Sequence, residues 1–232
     1  MQVAIKKRLD SDKSGSFTLD VAFNANEGIT ILFGPSGSGK TTTLRAIAGI
    51  VTPDEGSISI ADDIYFDSAT RKNLSIQKRR VGYVFQDYAL FPHMTAEQNI
   101  AYGIKDNERG ASRLKRAREM LTLFKIEHVA RRYPQNMSGG EQQRTALARA
   151  LASDPAVVLL DEPLSAVDAD TRTRLLDEVV AVQERVRIPF VYVTHNTSEA
   201  IRLGSHVVVL HEGRVKRTDH PSEVFDTSEN ER

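Results

Sequence analysis

The sequence contains no cysteine among its 232 residues. This absence excludes a disulfide-stapled fold, a cysteine-ligated zinc site, an iron–sulfur cluster and a thiol nucleophile. It is also compatible with a reducing compartment. A packed core must therefore hold the chain together, and a hydrophobic content of 40% is enough to build one in a domain of this size.

Charge of one sign does not predominate either. Lysine and arginine together number 31, aspartate and glutamate together also number 31, and the formal net charge is zero. Proteins that bind nucleic acid through its phosphate backbone usually carry a basic excess. We therefore expect no nucleic acid among the partners.

Long hydrophobic runs are missing as well. Residues 1–8 are charged where a signal peptide would need an apolar stretch, and the apolar runs at 156–160 and 207–210 are short. None approaches the roughly 20 residues that cross a bilayer. If the protein works at a membrane, we expect another chain to supply the membrane-spanning part.

Short apolar segments alternate with helical patterns along the chain. The predicted strands are 18–23, 29–33, 57–60, 81–85, 156–160, 190–194 and 207–210, and the main predicted helices are 42–50, 111–124, 140–153 and 170–187. This alternation predicts an α/β fold with a mainly parallel sheet. The helical stretch 88–152 interrupts it, so we expect an inserted helical subdomain, a core formed by 1–87 and 153–225, and a polar tail at 226–232.

A glycine-rich segment follows the strand at 29–33 and opens a helix. It fits G-x-x-x-x-G-K-[ST] at every fixed position, in the strand–loop–helix context that this motif requires. Glycine lets backbone N–H groups turn around phosphate oxygens, and the following helix adds its partial positive charge. Lys40 would place a cation on the β- and γ-phosphates, Thr41 would ligate Mg²⁺, and Thr42 would donate to an inner phosphate. The predicted phosphate-binding residues are Gly34, Pro35, Ser36, Gly37, Ser38, Gly39, Lys40, Thr41 and Thr42.

Two acidic residues end the strand at 156–160. A buried strand that delivers a carboxylate beside a phosphate loop commonly holds Mg²⁺, directly or through water, and Asp161 would take that role. Glu162 would then lie next to the γ-phosphate and polarise a water molecule for in-line attack. The alternative is an acidic pair that caps the following turn.

A third segment, Ser138-Gly139-Gly140-Glu141, precedes the helix at 140–153. Ser138 and Glu141 have the spacing of a capping box. A serine and two glycines at a helix N-terminus also form an anion site. Two copies arranged head-to-tail would let this loop close over the nucleotide of the other copy, and a capping box is compatible with that role.

Together these segments resemble the nucleotide-binding subunit of an ATP-binding cassette (ABC) transporter. The resemblance covers roughly residues 3–225. It implies an ABC-type P-loop NTPase fold, in which an N-terminal antiparallel β-subdomain and the inserted helical subdomain accompany the parallel core. It also implies that ATP and Mg²⁺ bind, with Lys40, Glu162 and His195 as catalytic residues.

The same resemblance gives roles to further residues. Gln86 is similar to the glutamine that ligates Mg²⁺ and senses the transmembrane partner. Asp168, in the segment Ser165–Asp168, is similar to the residue that communicates across the dimer. His195 resembles the switch histidine that contacts the γ-phosphate, and the loop 138–141 would touch the nucleotide of the second copy.

Three positions depart from the family pattern. Met137 stands where leucine is common before Ser138, which matches the signature serine of the family. Asn196-Thr197 follow the switch histidine, His195, where many importers have Asp-Gln. No aromatic residue is evident that would stack on adenine. Phe17 is the nearest, but its place in an alternating strand predicts a core residue, so adenine recognition is weak or falls to Arg8 and its neighbours.

Two segments, 81–95 and 99–103, resemble the importer subfamily whose ATPases serve molybdate/tungstate, sulfate, iron(III), polyamines and sugars. The segments 7–21 and 26–30 most resemble the molybdate/tungstate type. Many members of the subfamily continue into a C-terminal regulatory domain. Because this sequence ends at Arg232, we expect no such domain here.

The resemblance implies that the chain hydrolyses ATP to power an importer. The implied partners are a second copy of the chain, transmembrane permease subunits and, indirectly, an extracytoplasmic substrate-binding protein. The implied location is the cytoplasmic face of the cell (inner) membrane. The region 87–102 is the expected docking groove, where Tyr88, Leu90, Phe91 and Met94 either receive a partner helix or pack inside the subdomain.

Two other classes of function compete with this interpretation. ABC ATPases of DNA repair or chromosome organisation carry long coiled-coil arms, and the 52 positions from Gln86 to Ser138 leave no room for one. A regulatory module that binds ATP without hydrolysing it is the other alternative. The presence of Glu162, His195 and Gln86 together argues against it.

Overall fold

The computed structural model describes residues 1–11, 15–104, 111–165 and 167–225. The predicted polar tail at 226–232 and Ala166 lie outside these residues. The chain forms two compact units, one of Met1–Arg79 with Leu176–Arg232 and the other of Arg80–Leu175. Each unit is described separately below.

The first unit contains a mixed sheet. Its described strands are β1 (Gln2–Ser11), β2 (Gly15–Asn24), β3 (Ile29–Phe33), β4 (Glu55–Ile60), β5 (Asp63–Asp67), β6 (Lys72–Asn73), β9 (Phe190–Thr194), β10 (His206–His211) and β11 (Arg214–Asp219). Their spatial order is β6-β5-β4-β1-β2-β11-β10-β3-β9. Strands β1, β2, β4, β5 and β6 pair antiparallel, whereas β3 pairs parallel with both β10 and β9.

The antiparallel part of this sheet is covered on one face. Val3 lies opposite Phe23 and Ile5 opposite Val21, and all four side chains are buried. The alternate positions are exposed, and they include the pair Ala4 and Ala22 and the charged pair Lys6 and Asp20. This alternation is typical of an antiparallel sheet with one face on the core and one in water.

Strands β3 and β9 of the parallel part are buried along most of their length. Ile31 and Leu32 of β3 are fully buried, and so is every residue of β9. Uninterrupted apolar runs of this kind are typical of parallel strands that are covered on both faces. Helices α1 (Lys40–Ala48), α6 (Thr197–Leu203) and α7 (Pro221–Phe225) belong to the same unit.

The second unit combines two strands with a group of helices. Strands β7 (Val81–Val84) and β8 (Val157–Asp161) pair parallel. Helices α2 (Ala96–Tyr102), α3 (Ala111–Leu123) and α4 (Gly139–Ala152) pack against one another pairwise. Helix α5 (Ala169–Val186) contributes residues to both units. Across the described ranges, no helix combines the length and the apolar character needed to cross a bilayer.

A buried arginine holds the C-terminal end of α1. Arg79 is only 4% exposed, and its guanidinium donates to the Ala46 and Ile47 carbonyl oxygens at 2.8 and 2.7 Å. It also donates to the Leu74 carbonyl at 3.0 Å and the Asn73 Oδ1 at 3.0 Å. Burial lowers the pKa of Arg79. A cation at a helix C-terminus is favourable because it faces the carbonyl end of the helix dipole.

We expect Arg79→Met to lower the free energy of unfolding by about 2–4 kcal/mol, because buried carbonyl oxygens lose a charged donor. Urea titration followed by circular dichroism measures the change. The neighbouring exposed Arg80 provides the control, since Arg80→Met removes solvent-exposed hydrogen bonds to Asp154 and should cost about 0–1 kcal/mol. Equal effects for the two variants would contradict the assigned role of Arg79.

Candidate functional site

The glycine-rich loop joins β3 to α1, as the motif requires. Gly39 is the residue before α1 and has a φ of 103°, a conformation that favours glycine. A Cβ at Gly34 would collide with the Leu210 carbonyl oxygen. The loop therefore depends on glycine both for its turn into the helix and for its close approach to β10.

Lys40 points back into its own loop. The side chain is 5% exposed, and its Nζ donates to the Gly34 and Pro35 carbonyl oxygens at 2.8 and 2.9 Å. The Ser38 hydroxyl is also buried, and it lacks a hydrogen-bond partner in the part of the chain that the structure describes. A buried ammonium and a buried, unpaired hydroxyl in one short loop provide donors for an anion.

The N-terminus of α1 adds further donors. Within the described chain, no side chain caps this helix end, and its first turn holds no acidic residue. The first N–H groups of a helix lack acceptors inside the helix, and they carry a partial positive charge. The loop and the helix end together therefore fit a phosphate group.

Phe17 lies beside the phosphate loop instead of deep in the core. Its side chain is half-buried, and its ring atoms lie 3.4–3.7 Å from the place where a Cβ of Gly39 would be. The prediction of a core residue is therefore only partly correct. In this position the ring supports the turn that carries Gly39.

His195 comes next to the phosphate loop through strand pairing. Thr194, the last residue of β9, pairs with Phe33, the last residue of β3. His195 and Gly34 are the residues that follow in each strand, and the carboxyl ends of parallel strands meet at one edge of a sheet. The exposed His195 therefore lies at the same edge as the phosphate loop.

A buried glutamate organises the segment around His195. Glu199 is 5% exposed, and its Oε2 accepts hydrogen bonds from Tyr192 Oη at 3.1 Å and Thr194 Oγ1 at 2.7 Å. Asn196 caps α6 by accepting from the backbone N–H groups of Ser198 and Glu199. The sequence interpretation missed Glu199, although an acid at the third position of a helix behind a capping residue is a local signal.

In the second unit, Asp161 and Glu162 lie at the carboxyl end of β8. Asp161 is 6% exposed, and its Oδ2 accepts a hydrogen bond from Tyr83 Oη at 3.0 Å. Glu162 has a φ of 45°, in the left-handed region that non-glycine residues seldom adopt. Strained backbone is common where a side chain must be presented at a site. Tyr83 was not identified from the sequence, because nothing local links it to a residue 78 positions away.

Gln86 lies at the same edge of the second unit. Val84 of β7 pairs with Leu160 of β8, so Gln86 and Asp161 both follow the carboxyl ends of paired parallel strands. The Gln86 side chain is exposed. The structure thus brings Gln86, Asp161 and Glu162 together at one edge of the second unit.

A strained corner follows Gln86. Tyr88 and Ala89 have φ values of 61° and 44°. Arg149 of α4 donates to the carbonyl oxygens of both, at 2.7 Å to Tyr88 and 2.6 Å to Ala89. Burial raises the pKa of Tyr88. The corner is therefore fixed by a side chain from α4.

The predicted capping box is present at the start of α4. Ser138 Oγ accepts from the Glu141 backbone N–H at 3.3 Å, and Glu141 Oε2 accepts from the Ser138 N–H at 2.7 Å. Partial burial opposes ionisation of Glu141, but hydrogen bonds from Ser138 and His128 hold the pKa of its carboxyl below the ordinary value. Ser138 and Gly139 are exposed and Gly140 is half-buried.

Asp168 precedes α5 and is exposed. Its Oδ1 accepts from the backbone N–H of Thr171 at 2.9 Å, which is the geometry of an N-cap. The structure thus places Ser138 and Asp168 before two different helices, α4 and α5.

An apolar groove of ≈ 390 Å³ lies in the second unit. The rings of Phe91 and Tyr102 pack 4.5 Å apart on its wall, and Tyr102 is 58% exposed. Of the four residues expected to receive a partner, Phe91 lines this groove and Tyr88 is buried. The residues that line it are Val81, Gly82, Tyr83, Phe85, Ala89, Phe91, Tyr102, Gly103, Arg149, Ala150 and Ser153.

Buried Asn99 fixes the segment that forms the groove. Its Nδ2 donates to the carbonyl oxygens of Phe91, Met94 and Thr95 at 3.0–3.2 Å, and its Oδ1 accepts from the Phe91 N–H at 2.8 Å. One amide therefore satisfies four backbone groups. The backbone of Phe91 is therefore fixed by a side chain of the same unit.

Comparison with known proteins yields relatives over most of the chain. A molybdenum import ATP-binding protein, ModC of Brucella abortus, is 41% identical over 213 residues, which are 92% of this chain and 59% of that protein. A sulfate/thiosulfate import ATP-binding protein, CysA of Xanthomonas campestris, is 44% identical over 220 residues, 91% of this chain and 62% of that protein. The chain thus spans about three fifths of the length of these relatives.

A solved structure with a similar fold is a dimeric, post-hydrolysis state of the ATP-binding cassette MJ0796 bound to ADP and Pi. It has a TM-score of 0.77 and 31% identity, and the match covers 95% of this chain and 97% of that one. This similarity confirms the expected fold class, the α/β P-loop NTPase fold of ABC type. Residues 18–165 match the family described as ABC transporter. The chain therefore belongs to the ABC transporter family.

Proposed function

We propose that this chain is the ATP-hydrolysing subunit of an ABC importer, with molybdate or tungstate as the transported substrate. The observation that carries the proposal is the pair of helix N-termini, one behind the phosphate loop at 34–39 and one behind the signature loop at 138–140. A P-loop protein that acts alone needs only the first. The second supports a nucleotide bound between two head-to-tail copies.

ATP is proposed to bind through Gly34–Thr42. Lys40 exchanges its two carbonyl partners for oxygens of the β- and γ-phosphates, and the N–H groups at the start of α1 contact the same anion. Thr41, Gln86 and Asp161 are proposed to hold Mg²⁺. Hydroxyl, amide and carboxylate oxygens suit this hard cation, which supplies charge neutralisation to the phosphates.

Hydrolysis of ATP to ADP and phosphate is proposed to use Glu162 as general base. Glu162 accepts a proton from the attacking water, and His195 contacts the γ-phosphate. Glu199 and Asn196 hold the segment that carries His195. Ser138, Gly139, Gly140 and Glu141 of the second copy close on the nucleotide, and Asp168 communicates between the copies.

The proposed partners are transmembrane permease subunits, which dock in the groove that Phe91 and Tyr102 line, and through them an extracytoplasmic substrate-binding protein. The proposed location is the cytoplasmic face of the inner membrane. We also retain as a proposal the division into a core of 1–87 and 153–225 and a helical subdomain of 88–152. The exposed ring of Tyr102 and the half-buried ring of Phe91, beside a fixed backbone corner, suit a helical segment from another chain.

Sulfate is the second candidate substrate. A relative whose name assigns it to sulfate/thiosulfate import is 44% identical, close to the 41% of the molybdenum import protein. Molybdate and sulfate are both tetrahedral oxyanions. The ATPase subunit has no contact with either in the proposed mechanism, so the choice rests on the partners with which it assembles.

Glu162→Gln tests the catalytic role. We expect hydrolysis to fall by about 10²- to 10⁴-fold, since an amide cannot accept the proton of water. Binding of a fluorescent ATP analogue should be retained. The control is Glu184→Gln on the exposed face of α5, which should hydrolyse ATP at the wild-type rate. Wild-type hydrolysis by Glu162→Gln would refute the assignment.

Tyr102→Asp tests the docking groove. A charge on this exposed ring position should reduce the amount of permease that a tagged chain recovers from detergent-solubilised native membranes, as quantified by mass spectrometry. ATP binding should not change. Tyr133→Asp is the matched control, because Tyr133 is 43% exposed in the same unit and lies outside the groove. Undiminished recovery by Tyr102→Asp would show that the partner docks elsewhere.

Uptake measurements test the transported substrate. In cells that lack the gene for this chain, reintroducing it should restore uptake of radiolabelled molybdate, whereas the Lys40→Ala variant should not. Excess unlabelled tungstate should compete more strongly than excess sulfate. Loss of sulfate uptake with normal molybdate uptake would favour the second candidate.

A further inference from the structure

The Glu141 carboxylate in the signature loop has both of its oxygens engaged. Oε2 accepts from the Ser138 N–H at 2.7 Å and from the Ser138 Oγ–H at 2.9 Å. Oε1 lies 2.9 Å from His128 Nε2. The Glu141 side chain is 17% exposed and the His128 side chain 57%. One carboxylate therefore connects the signature serine to a histidine outside the signature motif.

This arrangement determines the direction of the Ser138 hydroxyl. A hydroxyl has one proton to donate, and here it goes to Glu141. The Ser138 backbone is extended, with φ −64° and ψ 160°, as an N-cap requires. The loop therefore has its helix-starting conformation before any phosphate arrives.

The Glu141 side chain has several rotatable torsions. Its two hydrogen bonds to Ser138 require one particular rotamer of that side chain. A glutamate that is held from one side only would give up these bonds more often, because side-chain entropy favours other rotamers. His128 lies in the 3-10 turn Glu127–Val129, and it contacts the oxygen that Ser138 does not use. It thus holds the carboxylate from the opposite side.

We propose that His128 is a positioning residue for the signature loop, and that its imidazole keeps Glu141 in the conformation that holds Ser138 as the cap of α4, so that this helix N-terminus is preformed for the nucleotide of a second copy. This inference rests on the proposed function, because it needs the loop to close on that nucleotide. It predicts a defect in ATP-driven dimerisation that spares the binding of ATP to the phosphate loop of a single copy.

The test uses Glu162→Gln as the parent, in which ATP accumulates, and measures dimer formation against ATP concentration by light scattering. With His128→Ala, the half-maximal ATP concentration should rise by about three- to tenfold, as expected when each of two loops loses one half-exposed bond to a charged group. His128→Gln should restore most of the loss, because its amide N–H can donate to Glu141. His206→Ala, at another exposed histidine, should match the parent.

Two further measurements separate positioning from stability. Affinity of the monomer for a fluorescent ATP analogue should be the same in the parent and in His128→Ala, which a general loss of structure would not permit. In a Glu141→Ala background, His128→Ala should cause no additional change, because the group it holds is gone. An additional change of similar size would overturn the proposal, and so would parent-like dimerisation by His128→Ala.

Failure of the proposed function would give a different experimental result. If the Glu162→Gln parent and wild type both remain monomeric with saturating ATP, the proposal that two head-to-tail copies bind the nucleotide between them is wrong. The proposed role of His128 is then refuted as well. If the parent dimerises and His128→Ala dimerises equally well, the head-to-tail arrangement is supported and only the role of His128 is refuted.

Discussion

The structure depends on how the N–H groups at the start of a helix find acceptors. Helices α1 and α4 solve this problem in opposite ways. At α4, Ser138 and Glu141 supply the acceptors from the helix's own sequence. At α1, no side chain among the described residues accepts a hydrogen bond from the first N–H groups. The buried Lys40 and the glycine turn at Gly39 lie at this helix end. The first helix end suits an anion in its own unit, and the second is preformed for the nucleotide of the proposed second copy.

Parallel pairing of buried strands then brings distant residues together. The strands of each parallel pair are mostly apolar, and the polar residues of the site lie at or just beyond their carboxyl ends. Phe33 paired with Thr194 places the phosphate loop beside His195, and Val84 paired with Leu160 places Gln86 beside Asp161. In each unit the chemistry is therefore confined to one edge by the same pattern that builds the core.

Much of this was visible in the sequence, and what was not has physical reasons. The buried strands at 29–33 and 190–194 were predicted with their observed ends, since short apolar runs bounded by turns have few alternatives. Strand β1 was not predicted, because the consecutive charges of Lys6, Lys7 and Arg8 interrupt its alternation and its antiparallel partners lie elsewhere in the chain. The capping box at Ser138 could be identified because capping is local. Tyr83 and His128 could not, because each contacts a carboxylate that is distant in sequence or lies beyond a turn.

Helix α4 links the signature loop at 138–140 to the apolar groove of the second unit. Ser138 precedes its first residue, while Arg149, near its other end, lines the groove and clamps the strained corner at Tyr88 and Ala89. With 14 residues it is about 20 Å long, and an α-helix of this length behaves as a stiff rod. If the groove wall at Arg149 shifted by about an ångström, the whole helix would therefore shift, and Ser138 would move with it. The backbone hydrogen bonds of α4 therefore join the groove wall and the signature loop into one stiff element.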